Sequence, residues 1–202
     1  MDELLNVLRK SVKSRISERR YLHTLGVEDM ATKLGEHFIP EMISELRAAA
    51  LLHDVAKELD YQEQIKIISD QDILVSDEDI ATLPAVHSFA ACGVIKRDFP
   101  DYETPEILSA VYNHTLGAPD MSLFDKIIYI ADYIEEGRCY SSSCEVRSYL
   151  LQALEDNSED KMACINRAIV MSIDHTVKHL NATMAPINSK TLLTKSSLQA
   201  LN

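Results

Sequence analysis

Apolar positions in this 202-residue chain recur at three- and four-residue spacing almost from end to end, and no long stretch alternates apolar with polar. That period belongs to helices packed against one another rather than to strands. It predicts a short amphipathic helix over Asp2–Lys13, with Leu4, Leu5, Val7 and Leu8 on one side. A second helix follows Ser17, a suitable cap, and runs through Ala31 and Leu34 until Pro40 breaks it. A third covers Glu41–Glu58. Residues Tyr61–Pro84 are polar and broken, with helical pieces near Glu63–Ser69 and Asp77–Thr82. Helices resume at Val86–Arg97, at Thr104–His114 with Pro105 in the first turn, and at Ser122–Glu136, which Gly137 ends. Ser141-Ser142-Ser143 reads as a break and cap before Glu145–Glu155, Asp160–Met184 makes the last helix, and the tail after Pro186 reads as irregular.

Composition narrows the class. Five glycines and six prolines are few, 46% hydrophobic and 26% charged residues are ordinary for a globular protein, and 202 residues suit one core. There is no repeat, low-complexity tract or dividing linker, so the expectation is an all-α, single-domain helical bundle. A net charge of -12 argues against a nucleic-acid partner. A phosphate substrate would need its charge met locally, by metals and a few Lys or Arg residues. The four cysteines form no CxxC pair and read as neutral, mostly buried side chains. No apolar run near the N-terminus has signal-peptide or membrane length, which sets the expectations of a cytoplasmic location and no membrane partner.

Candidate chemistry enters where polar residues interrupt apolar helices. Ala48-Ala49-Ala50-Leu51-Leu52 runs directly into His53-Asp54, where another apolar pair would pack better. A buried carboxylate there needs a cation, a hydrogen-bond network or water. Asp132 sits inside the very apolar Ile127-Ile128-Tyr129-Ile130-Ala131-Asp132-Tyr133-Ile134 and poses the same problem. His23, His87 and His114 complete the set. Each alone has a plain explanation: a capped surface histidine, a helix-start histidine, and an end-of-helix histidine bonded to a carbonyl.

Together they make four imidazoles and two carboxylates on five helices, a donor set suited to Fe, Mn, Ni, Co or Zn. Six ligands are too many for one metal that keeps a position for water, but fit two metals sharing a carboxylate, for which Asp54 is the natural bridge. Helix spacing places Lys57 beside Asp54, where it would neutralise phosphate oxygens; its plain alternative is a salt bridge to Glu58. Arg20, Arg138 and Thr115 are further phosphate candidates, Arg138 as a bidentate clamp or else a helix C-terminal cation. His175 and His179, four residues apart, are set aside as a solvated helix face because Lys178 would repel a cation, and His37 as a histidine near a helix C-terminus.

His23, His53-Asp54, His87, His114 and Asp132, in this order, resemble the HD-domain metal phosphohydrolases. The stretches Arg20-Tyr21-Leu22-His23-Thr24-Leu25-Gly26-Val27, Asn113-His114-Thr115-Leu116-Gly117 and Ile130-Ala131-Asp132-Tyr133-Ile134-Glu135-Glu136-Gly137-Arg138 are closer still to YqeK-type symmetrical diadenosine tetraphosphate hydrolases. The resemblance runs from about residue 15 to about residue 185. It implies an HD domain over 1–185, with its metal core at about 20–138, C-terminal helices at about 145–184 and a tail at 186–202. It also implies two metal ions, iron favoured, one held by His23, His53, Asp54 and Asp132 and the other by Asp54, His87 and His114. The implied reaction is hydrolysis of diadenosine tetraphosphate to two ADP by a metal-bridging hydroxide, with Asp54 and Lys57 as catalytic residues. Leu22 stands where that family usually has Glu, Ser88-Phe89 where it has Gly-Pro, and Glu136 where it has Pro. Rival readings are an HD phosphohydrolase for a cyclic nucleotide, a guanosine polyphosphate or a dNTP, a di-iron oxygenase on the same scaffold, and a nucleotide-binding module without turnover. A homodimer is compatible with the sequence.

Overall fold

The computed structural model describes residues 2–156 and 160–201. Eleven helices, and no strand, occur among them: α1 Asp2–Lys13, α2 Glu18–Phe38, α3 Ile43–Leu52, α4 Tyr61–Asp70, α5 Asp77–Ala81, α6 Val86–Asp98, α7 Pro105–Asn113, α8 Leu123–Ile134, α9 Ser141–Asp156, α10 Lys161–Ala182 and α11 Ser189–Ala200. Their starts are written locally. Ser17, Thr104 and Ser122 each accept a hydrogen bond from the backbone N–H three residues on, and Asp125 closes a capping box with Ser122.

Helix α3 is the axis of the bundle. Ala48, Ala49, Ala50, Leu51 and Leu52 are all buried, so the C-terminal half of this helix is apolar all round, as the part of a helix running through a core must be. Its small side chains let neighbours approach closely: α2 packs along it, and α1, α7 and α8 also touch it. Helix α8 in turn meets α2, α7, α9 and α10, which brings Asp132 back towards the end of α3.

Three expectations are corrected. The helix expected over Glu41–Glu58 ends at Leu52, and successive turns replace it, with Val55 N–H on Leu52 O (3.2 Å), Lys57 N–H on Asp54 O (2.9 Å) and Leu59 N–H on Ala56 O (3.3 Å). Ser141-Ser142-Ser143 does not break the chain but forms the first turn of α9. The tail after Pro186 is not irregular. Asn188 caps α11, whose Leu198 and Thr194 are buried. Asn188, Ser189 and Lys190 bind Asp79 and Glu78 of α5, with Lys190 Nζ 2.7 Å from Asp79 Oδ2. Such paired polar contacts carry little hydrophobic signal, so the apolar pattern did not show them.

No helix among the described residues is long and apolar enough to cross a membrane. Of the four cysteines, Cys92 and Cys164 are buried, Cys139 is exposed and Cys144 lies between.

Away from the His-Asp cluster, Glu28 is a second buried carboxylate. Arg9 Nε (2.9 Å) and Nη2 (2.5 Å) and Arg47 Nε (2.9 Å) surround it, tying α1 and α3 to α2. Breaking a buried pair from one side leaves the partner charges uncompensated. Glu28→Ala should therefore cost about 2–3 kcal/mol, less than a fully buried pair because both guanidiniums keep some solvent. Urea unfolding of the two proteins measures it.

Candidate metal centre

The six candidate ligands come from helix ends and one helix interior. His53 caps the C-terminus of α3 and Asp54 follows it; His114 caps the C-terminus of α7; His87 is the second residue of α6. Asp132 lies in the last turn of α8 and His23 in the second turn of α2. Helix termini suit this task because the chain changes direction there and can aim side chains across the bundle.

All six converge, with Asp54 at the centre. Its Oδ2 lies 3.7 Å from His23 Nε2 and 3.4 Å from His53 Nε2. Its Oδ1 lies 3.1 Å from His87 Nε2 and 3.6 Å from His114 Nε2. Asp132 Oδ1 faces the first pair, 3.0 Å from His23 Nε2 and 3.9 Å from His53 Nε2. One carboxylate thus turns an oxygen to each of two histidine pairs. Two subsets bring their ligand atoms within 4.8 Å of one another: His23, His53 and Asp132, and His53, Asp54 and His114.

The donor set fits metal ions on its own chemistry. His53 Nδ1 donates to Ala50 O (2.6 Å) and His114 Nδ1 to Val111 O (2.7 Å). Each bond fixes the tautomer that leaves an Nε2 lone pair pointing inward, the arrangement of a metal-ligating imidazole. The end-of-helix hydrogen bond first offered as an ordinary account of His114 is therefore what aims it. His23 and His53 Nε2 are buried yet make no hydrogen bond of good geometry, and buried polar atoms seldom go without a partner.

The electrostatics agree. Burial would push the Asp54 carboxyl up, but the surrounding imidazoles, His53 first and then His114 and His87, outweigh it and hold it well below the usual carboxylate range. Burial acts the same way on Asp132, and Arg138 and His23 reverse it. His87 is pushed down to about 4, first by burial and then by the neighbouring His114 and Lys57. Burial also lowers the Lys57 ammonium. Deprotonated carboxylates and a neutral imidazole are the forms that bind metal.

The remaining candidates ring this centre. Lys57 sits on the turns beyond α3 rather than on the helix, its backbone N–H bonded to the Asp54 carbonyl. Its Nζ lies 3.1 Å from both ring nitrogens of His87. The alternative pairing with Glu58 is excluded, since Glu58 instead accepts bonds from Ser17. Thr115 Oγ1 is 3.4 Å from His87 Nε2. Arg20 Nη1 lies 2.7 Å from Asp54 Oδ2. Arg138 is past the end of α8, not on it, and folds back so that Nη2 lies 2.5 Å from Asp132 Oδ1. Both guanidiniums line a cleft of about 630 Å³ with Arg19, Leu22, Cys139 and Tyr140. His175 pairs with Glu145 at 3.3 Å, and His179 and His37 are exposed, all apart from the cluster.

Sequence reasoning passed over two residues here. Glu135 is buried and places Oε1 3.2 Å from His23 Nδ1. Arg147, from α9, donates to the carbonyls of Ile134 (3.0 Å) and Glu135 (2.7 Å) and so holds the turn that carries Glu135 and Arg138. The only cue was an acid directly after an apolar helix and two residues before Gly137.

Comparison with known proteins gives a consistent result. The HD domain model matches residues 20–137. A symmetrical bis(5'-nucleosyl)-tetraphosphatase of Halalkalibacterium halodurans is 34% identical over 192 residues, covering 93% of this chain and 92% of the relative. The Bacillus subtilis protein of the same description is 31% identical, with 91% of each chain covered. A crystal structure from Clostridium acetobutylicum, described as a predicted HD superfamily hydrolase involved in NAD metabolism, superposes with a TM-score of 0.84 at 30% identity, covering 98% of this chain and 97% of that one.

The depressed His87 has a consequence for the metal-free protein. Between its ordinary value of 6.5 and about 4 the unfolded chain takes up a proton that the folded chain refuses. The unfolded state then binds more protons, so this contribution to stability is complete above pH 6.5 and falls away as pH drops towards about 4. Urea unfolding at several pH values in this window should show a steeper acid loss in the wild type than in His87→Asn.

Proposed function

Because the chain belongs to the HD-domain family, and within it to the YqeK-type symmetrical bis(5'-nucleosyl)-tetraphosphatases, we propose that it hydrolyses diadenosine tetraphosphate to two molecules of ADP. The observation that carries the site assignment is the two-sided Asp54 carboxylate between two histidine pairs. His23, His53, Asp54 and Asp132 would hold one metal ion, and Asp54, His87 and His114 the other; the family resemblance favours iron, and the mixed imidazole and carboxylate donors suit Fe, Mn, Co, Ni or Zn. Bound there, such ions supply an acidified water as nucleophile and positive charge against the reacting phosphate.

The chain's own residues prepare the place. Asp54, Asp132 and Glu135 are three carboxylates; Arg20, Arg138 and Lys57 are three cations beside them. The protein part of the centre is therefore close to neutral, and two divalent ions held there would make it strongly positive. That local charge draws a polyphosphate into a protein whose net charge is -12. The two oxygens of Asp54 would each serve one of the two positions. Lys57, held against His87 in a dry site, presents a cation where phosphate charge develops, and it costs little reorganisation because it is already placed. Arg20 and Arg138 reach the carboxylates from the cleft side, so each can turn to a phosphate lying over them, and Thr115 offers a hydroxyl beside His87.

This arrangement favours phosphoanhydride hydrolysis over oxygenase chemistry, for which a ring of three cations has no use. Product analysis is the test: the metal-loaded protein should convert diadenosine tetraphosphate to ADP alone. ATP plus AMP, or turnover confined to a cyclic nucleotide, a guanosine polyphosphate or a dNTP, would sink the reading. Two substitutions extend it. Asp54→Asn should reduce bound metal from two ions to fewer than one per chain by elemental analysis. Lys57→Ala should lower kcat about 100-fold with metal content unchanged, as expected for a group acting mainly on developing charge.

A further inference from the structure

Glu135 is a buried carboxylate with few direct hydrogen-bond partners. Its Oε2 accepts the Gly137 N–H at 2.5 Å, its Oε1 faces His23 Nδ1 at 3.2 Å, and Arg147 binds its backbone carbonyl rather than its side chain. The fold makes deliberate room for it. A Cβ added at Gly26, inside α2, would lie 2.4 Å from Glu135 Oε2, and one at Gly137 would lie 2.9 Å from the same atom. The Arg138 guanidinium lies near enough to feel its charge, but a buried carboxylate with so few direct hydrogen bonds is still costly.

The histidines differ in what stands behind them. His53 and His114 are backed by neutral carbonyls, those of Ala50 and Val111. His23 is backed by a carboxylate, which makes its imidazole a stronger donor and adds a negative charge behind one half of the cluster only. That half already holds Asp132 in addition to the shared Asp54.

We propose that Glu135 is a positioning residue that acts through His23, making the His23–His53–Asp54–Asp132 position the tighter of the two cation positions, so that the centre loads in a fixed order. The inference rests on the two-ion reading above. It assigns Glu135 no contact with substrate: the carboxylate orients the His23 ring, keeps its proton on Nδ1 and strengthens Nε2.

The test is calorimetric titration of the metal-free protein with Mn²⁺. The wild type should show two separable steps. Glu135→Gln keeps an acceptor for His23 but removes the charge, and should weaken the tighter step about 10-fold while leaving the other in place. Gly26→Ala leaves Glu135 intact, but its methyl displaces the carboxylate. It should weaken the same step even though alanine favours a helix interior, so thermal unfolding of the metal-free variant should be unchanged or raised. In Glu135→Gln combined with His87→Ala, a single weakened step should remain, which assigns the effect to the His23 side. Titrations of Glu135→Gln that superimpose on the wild type would overturn the proposal. A wild-type chain that takes up fewer than two Mn²⁺ ions would overturn the two-ion reading, and this inference with it.

Discussion

Four imidazoles and two carboxylates can share the interior of a protein this small only if their charges and lone pairs answer one another. Asp54 is where that balance is struck: buried, held in its ionised form, with each oxygen turned to a different pair of histidines. Much of the architecture follows from that side chain. The C-terminal half of α3 is apolar on every side where it reaches the centre, the helix ends at Leu52 just before His53 and Asp54, and α2, α6, α7 and α8 each end or cross near that stop. Past Leu52 the chain goes on in successive i→i+3 turns through Asp54 and Lys57 instead of an α-helix.

The second-pair histidines are held from outside by the C-terminal helix. Thr191 Oγ1 donates to Leu116 O (3.2 Å) and Ser197 Oγ bonds Pro119 O (2.5 Å), which pins the loop following His114. Gly117 in that loop has φ 74° and abuts Thr194, so a side chain there would meet both strain and a neighbour. Lys190 lies over the rings of Phe89 and Tyr112, two residues beyond His87 and two before His114. Phe89 is one of the departures from the family pattern, and here it has a structural account: its ring packs against Tyr112 with centroids 4.6 Å apart and takes the cation above it. The other two departures lie at the surface, where Leu22 borders the cleft and Glu136 pairs with Lys33.

A strongly acidic protein with a polyanionic substrate is not a contradiction once charge is read locally. The screening length at physiological salt is about 8 Å, so most of the acidic surface is invisible from the centre. What an approaching phosphate meets is the edge formed by Arg19, Arg20 and Arg138, with the carboxylates behind them committed to the histidines and to whatever cations they hold.

The helices, their caps and the identity of the six His and Asp residues were legible in the sequence, because helical period, Ser and Thr capping and the cost of burying a charge are local matters. His23, His53, Asp54, His87, His114 and Asp132 stand out as polar intrusions in apolar helices whatever the fold does. Their convergence, and the opposed use of the two Asp54 oxygens, belong to tertiary packing, since residues from five helices meet only once the bundle closes. The same holds for the early stop of α3, the docking of α11 through Asn188 and Lys190, and the return of Arg138 onto Asp132. Glu135 is the clearest case: in sequence it is one of two adjacent acids, and only the cradle made by Gly26, from another helix, distinguishes it from Glu136 beside it. Periodicity and composition report what each segment must bury, whereas which buried groups face one another is decided by contacts between segments far apart in the chain.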